Sequence, residues 1–470
     1  MSLSVKYAVI LLAFAMLPFV AVSQTDKAAS LNDKALAFLQ QENYEKAVST
    51  LIDAIKADPS RAESYFNMGF AYYCMSRYDE AKQWYLKTIK IDSSYADAYI
   101  NIGLICNHKQ QYLDGVEWCR RALAIDSSLA NAYTNLGVAY GGMNRLQESI
   151  ECYQKSIALD SSSSITYNNL GNAYNTIGQF NRGIACLKKA VELHPDYASA
   201  YYSMGMAYAR LGMPDDAVRC YERAVKLEPR LVTAYNEIGN AYASAREYEK
   251  AINYFRLSIE KAPKYVDAYY NIGLIYYERH AYDTAAFWFK RATLVDENHA
   301  QSYYVCGVAH YMNGDRKEAM KWYQKTVEIN PKHALAFNSI GYMFQEDRNY
   351  AKAVEYYEKA INASPKYAAA YTNLGNVYIN TKNYAAALRN YAAVVKLEPD
   401  NAESHYNYGV ACYLAGDKLA AVSALETAVS LKPSYYEALN NLSVICGELG
   451  QDEKSKSYRE KADAVEFGLR

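Results

Sequence analysis

Side-chain amides are the groups in this sequence whose type and spacing best suit molecular recognition. Asparagine recurs at intervals of 34 residues, or a multiple of 34, at Asn67, Asn101, Asn135, Asn169, Asn271, Asn373, Asn407 and Asn441. Three more asparagines follow a glycine and extend this row: Asn172, Asn240 and Asn376. Because an amide supplies both a hydrogen-bond donor and an acceptor, such a row can pair with the backbone of an extended peptide without reading its sequence. We therefore predict that these asparagines contact a peptide.

The alternative role of the asparagine row is structural, because amides also form hydrogen bonds between packed helices. The row is interrupted by other residue types at Ser203, Glu237, Val305 and Ser339. The row therefore cannot supply an unbroken series of amide hydrogen bonds to one long peptide through the middle of the chain. The sequence leaves both roles open.

The elements that would position the amides are visible in the 34 residues from 368 to 401. Apolar or small residues recur there with the spacing of one helix face: Tyr371, Leu374, Gly375 and Tyr378. A polar segment, 380–383, separates this run from a second helical run, which Pro399 closes because proline ends a helix. Gly375 would cost about 1 kcal/mol inside a helix relative to alanine. We therefore predict a close helix crossing in which Gly375 meets Ala387.

The same unit repeats along the chain without insertion. Thirteen units of 34 residues cover residues 28–469, and the eighth place of the unit, counted from Ala368 as the first, is glycine in eleven of them. This period predicts an all-α fold of thirteen helix–turn–helix units and leaves no room for a second domain. The last unit is expected to act as the C-terminal cap, because Arg459 stands where Tyr391 stands in its own unit.

The length and pattern of the unit resemble the tetratricopeptide (TPR) repeat. The resemblance implies a right-handed superhelical solenoid, with first helices lining a concave groove and second helices outside. In that arrangement the asparagine row points into the groove, where it is similar to the asparagine ladder of O-linked N-acetylglucosamine transferases. The catalytic domain of those enzymes has no counterpart in the repeats.

The fifth place of the unit is also expected to neighbour the groove. From the second unit onward it carries residues such as Tyr270, Asn338 and Thr372 and never lysine or arginine. This composition argues against the basic clamp by which some TPR domains hold acidic carboxy termini.

The sequence contains no recognisable catalytic or metal-binding pattern. The seven histidines are scattered, and no HExxH, GxSxG or GxxxxGK(S/T) motif occurs. The nine cysteines include no CxxC pair and stand mainly at core places, so we predict buried free thiols in place of disulfides or metal ligands. The formal net charge of −1 does not indicate a nucleic-acid surface. We predict no enzyme, no catalytic residue, no metal, no cofactor and no nucleic-acid partner.

The first 23 residues have the pattern of a secretory signal peptide. Lys6 supplies the positive start, and the uncharged run of 16 residues at 7–22 is short for a membrane span of about 20 residues. Small residues at Ala21 and Ser23 predict cleavage after Ser23. We expect an exported protein, periplasmic or extracellular, without stable membrane insertion after cleavage. An uncleaved anchor and an endoplasmic reticulum lumen are the remaining alternatives.

Together these features predict a non-enzymatic scaffold or adaptor that binds a partner polypeptide in the concave groove. The 49 tyrosines support a second reading. Tyrosine rings can stack on sugars, so the alternative is an exported module that binds polysaccharide or cell-surface glycan, or that assists envelope assembly. The two hypotheses differ in their expected experimental result: a pull-down should enrich discrete proteins under the first, and affinity gels should show retention by glycan under the second.

Overall fold

The computed structural model describes residues 24–466 and residue 468, and in this part of the chain every regular element is an α-helix. The helices are α1 Gln24–Gln40, α2 Tyr44–Ala57, α3 Ala62–Cys74, α4 Tyr78–Ile91, α5 Ala96–His108, α6 Tyr112–Ile125, α7 Ala130–Gly142, α8 Leu146–Leu159, α9 Ser164–Thr176, α10 Phe180–Leu193, α11 Ala198–Arg210, α12 Pro214–Leu227, α13 Val232–Ser244, α14 Tyr248–Lys261, α15 Val266–Glu278, α16 Tyr282–Val295, α17 Ala300–Met312, α18 Arg316–Ile329, α19 Ala334–Glu346, α20 Tyr350–Ala363, α21 Ala368–Asn380, α22 Tyr384–Leu397, α23 Ala402–Leu414, α24 Lys418–Leu431, α25 Tyr436–Glu448 and α26 Asp452–Glu466. The predicted signal peptide, 1–23, lies outside the described residues.

The helices belong to two compact units, divided between residues 247 and 248. The first unit contains α1–α13 and the second contains α14–α26. In the first unit the pairs from α1–α2 to α11–α12 pack as hairpins, and in the second unit the pairs from α15–α16 to α25–α26 do so. Each hairpin packs on the next one within its unit. The predicted all-α solenoid of helix hairpins is therefore confirmed within each unit.

The turn between α21 and α22 shows why the polar segment 380–383 ends one helix and starts another. Lys382 adopts a positive φ of 61°, and the backbone N–H of Asn383 donates to the Tyr378 carbonyl at 2.8 Å, as in a Schellman cap. The side-chain oxygen of Asn383 then accepts from the backbone N–H of Ala386 at 3.2 Å, which caps the start of α22. One short polar segment thus satisfies orphan backbone groups of both helices.

Most eighth-place glycines lie under an aromatic ring or a leucine of the second helix, and Gly103 lies under the Cys119 thiol. A Cβ added to Gly375 would come within 2.8 Å of the Tyr391 ring, so even alanine would collide there. The predicted contact with Ala387 was therefore wrong as the reason for this glycine: the ring four residues further along α22 reaches across the crossing. Both Ala387 and Tyr391 are buried.

The twelfth and twentieth places form a second matched pair, which the sequence analysis missed. The two repeats with glycine at the twentieth place, Gly115 and Gly183, are the two with asparagine at the twelfth. A Cβ on either glycine would collide with the Oδ1 atom of Asn107 or Asn175, respectively. The side-chain volumes at these two places therefore compensate each other within a hairpin.

The last hairpin, α25–α26, replaces the glycine packing with hydrogen bonds. Ser443 takes the eighth place, and its Oγ donates to the Ser455 carbonyl at 2.9 Å. The Oγ of Ser455 donates to the Ser443 carbonyl at 2.7 Å. Arg459 donates from Nη1 to the side-chain oxygen of Asn440 at 3.1 Å. The final second helix thus carries Arg459 at the place that holds an aromatic ring in most of the other repeats.

The nine cysteines all have free thiols in the structure. Six are buried: Cys106, Cys119, Cys152, Cys306, Cys412 and Cys446. Burial raises the pKa of Cys119 and that of Cys306 to about 12. These thiols are therefore protonated near neutral pH and pack as small apolar groups.

Candidate partner-binding surface

The first helices of the hairpins keep one face accessible to solvent. In α21 the buried residues are Ala370, Leu374, Gly375 and Val377, together with Ala368 at the start. The accessible residues include Ala369, Asn373, Asn376 and Asn380, of which the outer two are exposed and the inner two half-buried. Their spacing of four, three and four residues keeps them on one side of the helix. We call these residues, and those at the same second, sixth, ninth and thirteenth places of the other first helices, the accessible stripe.

Side-chain hydrogen bonds link the accessible stripe of one first helix to the neighbouring first helix. In the second unit Tyr311 donates from its hydroxyl to Glu346 at 2.9 Å, and Tyr413 donates to Glu448 at 2.9 Å. In the first unit the Tyr73 hydroxyl lies 2.9 Å from Nε2 of His108. Each bond connects the twelfth place of one repeat with the thirteenth place of the next. The stripes therefore adjoin and form a surface within each unit.

Three asparagines of the predicted row hydrogen-bond to the preceding first helix. The Nδ2 of Asn67 donates to Oδ1 of Asn32 at 2.9 Å, and that of Asn373 donates to Oδ1 of Asn338 at 3.0 Å. The Nδ2 of Asn441 lies 3.5 Å from the Tyr406 hydroxyl. In each case a sixth-place amide donates to a fifth-place residue of the repeat before it. Part of the row thus joins helices, which is the structural role that the sequence left open.

The row differs in accessibility along the chain. Asn67 is buried, with 5% of its surface exposed, whereas the other ten candidates are half-buried on the stripe: Asn101, Asn135, Asn169, Asn172, Asn240, Asn271, Asn373, Asn376, Asn407 and Asn441. Asn376 also accepts a hydrogen bond from the Tyr391 hydroxyl at 2.6 Å. Candidates up to Asn240 belong to the first unit, and those from Asn271 onward belong to the second. The structure therefore brings the asparagines together as two groups.

The fifth place differs in burial between the two units. In the first unit its residues are mostly buried, as at Phe66 and Ile100. In the second unit the ring centroid of Tyr270 lies 5.8 Å from that of Phe289, and Tyr304 lies 5.8 Å from Tyr323. The expectation was therefore wrong for the first unit, whereas in the second unit the fifth-place residues are half-buried, like the sixth-place amides.

The ninth place supplies accessible apolar groups that the sequence analysis did not identify. Met206, Tyr342 and Val444 are 39%, 41% and 49% exposed. Leu274, Val308 and Val410 are half-buried at the same place. Extending the sixth-place row by three residues along the helix would have identified these positions, because residues three apart share a helix face. The surface therefore combines amides with apolar side chains.

Two other features are absent from residues 24–466. No group of three or more histidine, cysteine, aspartate or glutamate side chains is arranged to hold a metal ion there. No helix in the same range is both long and apolar enough to cross a membrane.

Protein-family models match most of this repeat pattern. Models described as "Tetratricopeptide repeat" match residues 62–95, 94–162, 162–230, 202–265, 237–299, 344–389 and 372–436, and one described as "TPR repeat" matches 35–76. This chain belongs to the tetratricopeptide repeat family. Within the TPR array, residues 278–339 also match a model described as "Anaphase-promoting complex, cyclosome, subunit 3".

Several solved TPR structures resemble parts of the array. MamA is 29% identical over 35% of this chain and 95% of its own, with a TM-score of 0.33. YrrB, described as a TPR protein with an unusual peptide-binding site, is 25% identical over 40% of this chain and 98% of its own, with a TM-score of 0.34. The Cut9–Hcn1 hetero-tetramer of the anaphase-promoting complex is 14% identical over 90% of this chain and 98% of that one, with a TM-score of 0.40. No curated protein matches the chain.

Proposed function

We propose that this TPR protein is a non-enzymatic scaffold that binds partner polypeptide along the accessible stripes of its first helices. The observation that carries the proposal is that these stripes lie side by side within each unit. The surface that they form presents amide and apolar groups from successive repeats. Main-chain groups of an extended peptide would pair with the amides, and its side chains would contact the ninth-place residues.

The regular spacing favours a polypeptide ligand over a compact small molecule. A pocket for a small molecule needs polar groups that converge on one cavity. The sixth-place amides of the second unit instead lie on four of its six first helices, at Asn271, Asn373, Asn407 and Asn441. The seven histidines are likewise distributed over five repeats, from His108 to His405. Both distributions support an extended binding surface without catalysis.

Site-specific photocrosslinking in the native cell tests the proposal. A benzophenone amino acid would replace Val444, which is 49% exposed on the accessible stripe of α25. The matched control would place the same group at Glu358, which is exposed on the second helix α20. We expect discrete protein adducts, identified by mass spectrometry, from position 444 and not from position 358. Equal adducts at both positions would contradict the scaffold. Glycan retention in affinity gels without protein adducts would also contradict it and would favour the glycan-binding alternative.

We also propose that the scaffold acts after export, in the periplasm or outside the cell. The support is the sequence of residues 1–23, with its charged start, its short apolar run and its small residues before the expected cleavage point. A partner reached by the stripe would then be an exported or surface protein.

A further inference from the structure

Positively charged residues are almost excluded from the first helices that follow α1, which itself carries Lys27 and Lys34. The whole chain is nearly balanced, with 50 lysines and arginines against 51 aspartates and glutamates. The twelve odd-numbered helices from α3 to α25 nevertheless contain a single lysine or arginine, Arg210. In the second unit the first helices α15, α17, α19, α21, α23 and α25 contain none. Nearly all cations of the repeats therefore lie on second helices and in turns.

The same six helices of the second unit carry six carboxylates, all at the second or thirteenth place of the accessible stripe. They are Asp267, Glu278, Glu346, Glu403, Glu437 and Glu448. These two places are at the ends of the stripe, whereas the sixth and ninth places between them are neutral in every repeat of this unit, as at Val308 and Asn407. The surface thus has acidic edges and a centre of amide and apolar groups.

Two of the six carboxylates already pair with cations of the chain. Glu346 forms an ion pair with Arg316, and Glu448 lies 3.0 Å from the Lys418 ammonium. The other four, Asp267, Glu278, Glu403 and Glu437, are exposed. They place negative charge at the edges of the surface, and the first helices of this unit carry no lysine or arginine beside them.

An aromatic ring lies near two of the exposed carboxylates. Burial chiefly, and also the negative charges of Glu403 and Glu437, raise the pKa of Tyr435 to about 12. The ammonium of Lys432 lies 4.7 Å from the centroid of this ring, within the usual cation–π distance. The chain's own lysine therefore shows that a cationic side chain fits against the acid-flanked ring.

We propose that the accessible stripe of the second unit binds an extended polypeptide in which lysine or arginine alternates with small or apolar residues. This inference rests on the proposed function and specifies the class of partner. Cationic side chains would reach the carboxylates at the edges, and apolar side chains would contact the central row that includes Val308, Tyr342 and Val410. An acidic segment would be repelled, because like charges would face each other across the interface.

Fluorescence anisotropy with three labelled peptides tests the charge preference. The full-length mature protein would be titrated against a peptide that repeats Lys-Val-Lys-Ser, and against peptides with glutamine or glutamate at each lysine. We expect the lysine peptide to bind most tightly and to weaken as salt is raised, because exposed ion pairs are screened. Equal affinity of the glutamine peptide would overturn the charge preference while leaving a scaffold that binds neutral peptide.

A pair of charge-matched variants locates the binding surface. D267N/E278Q/E403Q/E437Q removes the four exposed stripe carboxylates, and E297Q/E358Q/E453Q/E460Q removes four exposed carboxylates elsewhere in the same unit. We expect the first variant to lose about tenfold in affinity for the lysine peptide, as four exposed ion pairs would give, and the second to retain it. Circular dichroism would confirm that both variants stay folded. Equal losses in both variants, or no binding of the lysine peptide to the unaltered protein, would refute the inference, while stripe-specific protein crosslinks would still support the scaffold.

Discussion

Replacing Asn67 by alanine should separate the structural role of the asparagine row from its role in recognition. Asn67 is 5% exposed and its partner Asn32 is fully buried, so their 2.9 Å hydrogen bond is sealed between α1 and α3. The N67A change removes the donor and leaves Oδ1 of Asn32 without it. The cost should therefore be that of a buried acceptor losing its partner.

The expected loss is about 1–3 kcal/mol, the usual penalty for leaving a buried polar group unpaired. This loss raises the equilibrium constant for local opening by a factor of about 5 to 150, since 1.4 kcal/mol is a factor of ten. Because repeats interact mainly with their neighbours, the effect should concentrate in α1–α4. N407A provides the control: its fifth-place counterpart Thr372 donates instead to the Ala368 carbonyl at 3.2 Å. That change should leave local stability nearly unaltered.

Native-state hydrogen exchange measured by mass spectrometry can resolve these local differences. N67A should accelerate exchange in α1–α4 without changing exchange in α21–α26. The double variant N32A/N67A should cost less than the sum of the two single changes, because it removes both polar partners together. Unchanged exchange in N67A would refute the assignment of this amide to helix–helix contact. Accelerated exchange in α21–α26 of N407A would show that the half-buried amides are structural as well.

Three further predictions concern packing, thiols and export. G115A should destabilise its hairpin by about 1–3 kcal/mol through collision with Asn107. The double variant N107A/G115A should recover most of this loss, because two other repeats carry alanine at both places. Additive losses of the two changes in thermal or chemical unfolding would contradict the pairing. Iodoacetamide should modify Cys119 and Cys306 slowly in the folded protein and faster as pH rises toward their pKa of about 12. All nine thiols should react after denaturation. Fewer than nine reactive thiols would reveal disulfides. Amino-terminal sequencing of the exported protein should begin at Gln24, and an intact amino terminus in the membrane fraction would indicate an uncleaved anchor.

The sequence predicted the fold because the 34-residue period fixes helix faces and turns together. The glycine at the eighth place, the polar run at 380–383 and Pro399 all mark boundaries or contacts within one hairpin. What the period could not identify was the partner across the crossing. Gly375 and Ala387 are both small, which suggested mutual contact, but a ring reaches over several atoms and Tyr391 occupies the space.

The candidate surface was predictable only in part for a similar reason. Repetition identifies which places are alike, not which direction each side chain takes between neighbouring hairpins. The fifth and sixth places are adjacent in sequence, yet the fifth faces the second helix, as Tyr270 does toward Phe289, while the sixth faces the stripe. The apolar members of the ninth place escaped notice because the residue type varies there, from Asn172 to Met206 and Val444.

A structural hydrogen bond at a sixth-place amide does not exclude recognition by the same side chain. An amide has two N–H donors and an oxygen with two acceptor sites, and the bond from Asn373 to Asn338 uses one donor. Asn373 is half-buried, so its remaining hydrogen-bonding capacity borders solvent. The bond to Asn338 also fixes which end of the amide faces the neighbouring helix, and an oriented amide loses less rotational freedom when a peptide binds. The helix contact can therefore strengthen peptide binding at half-buried members of the row, while at Asn67 burial leaves only the structural role.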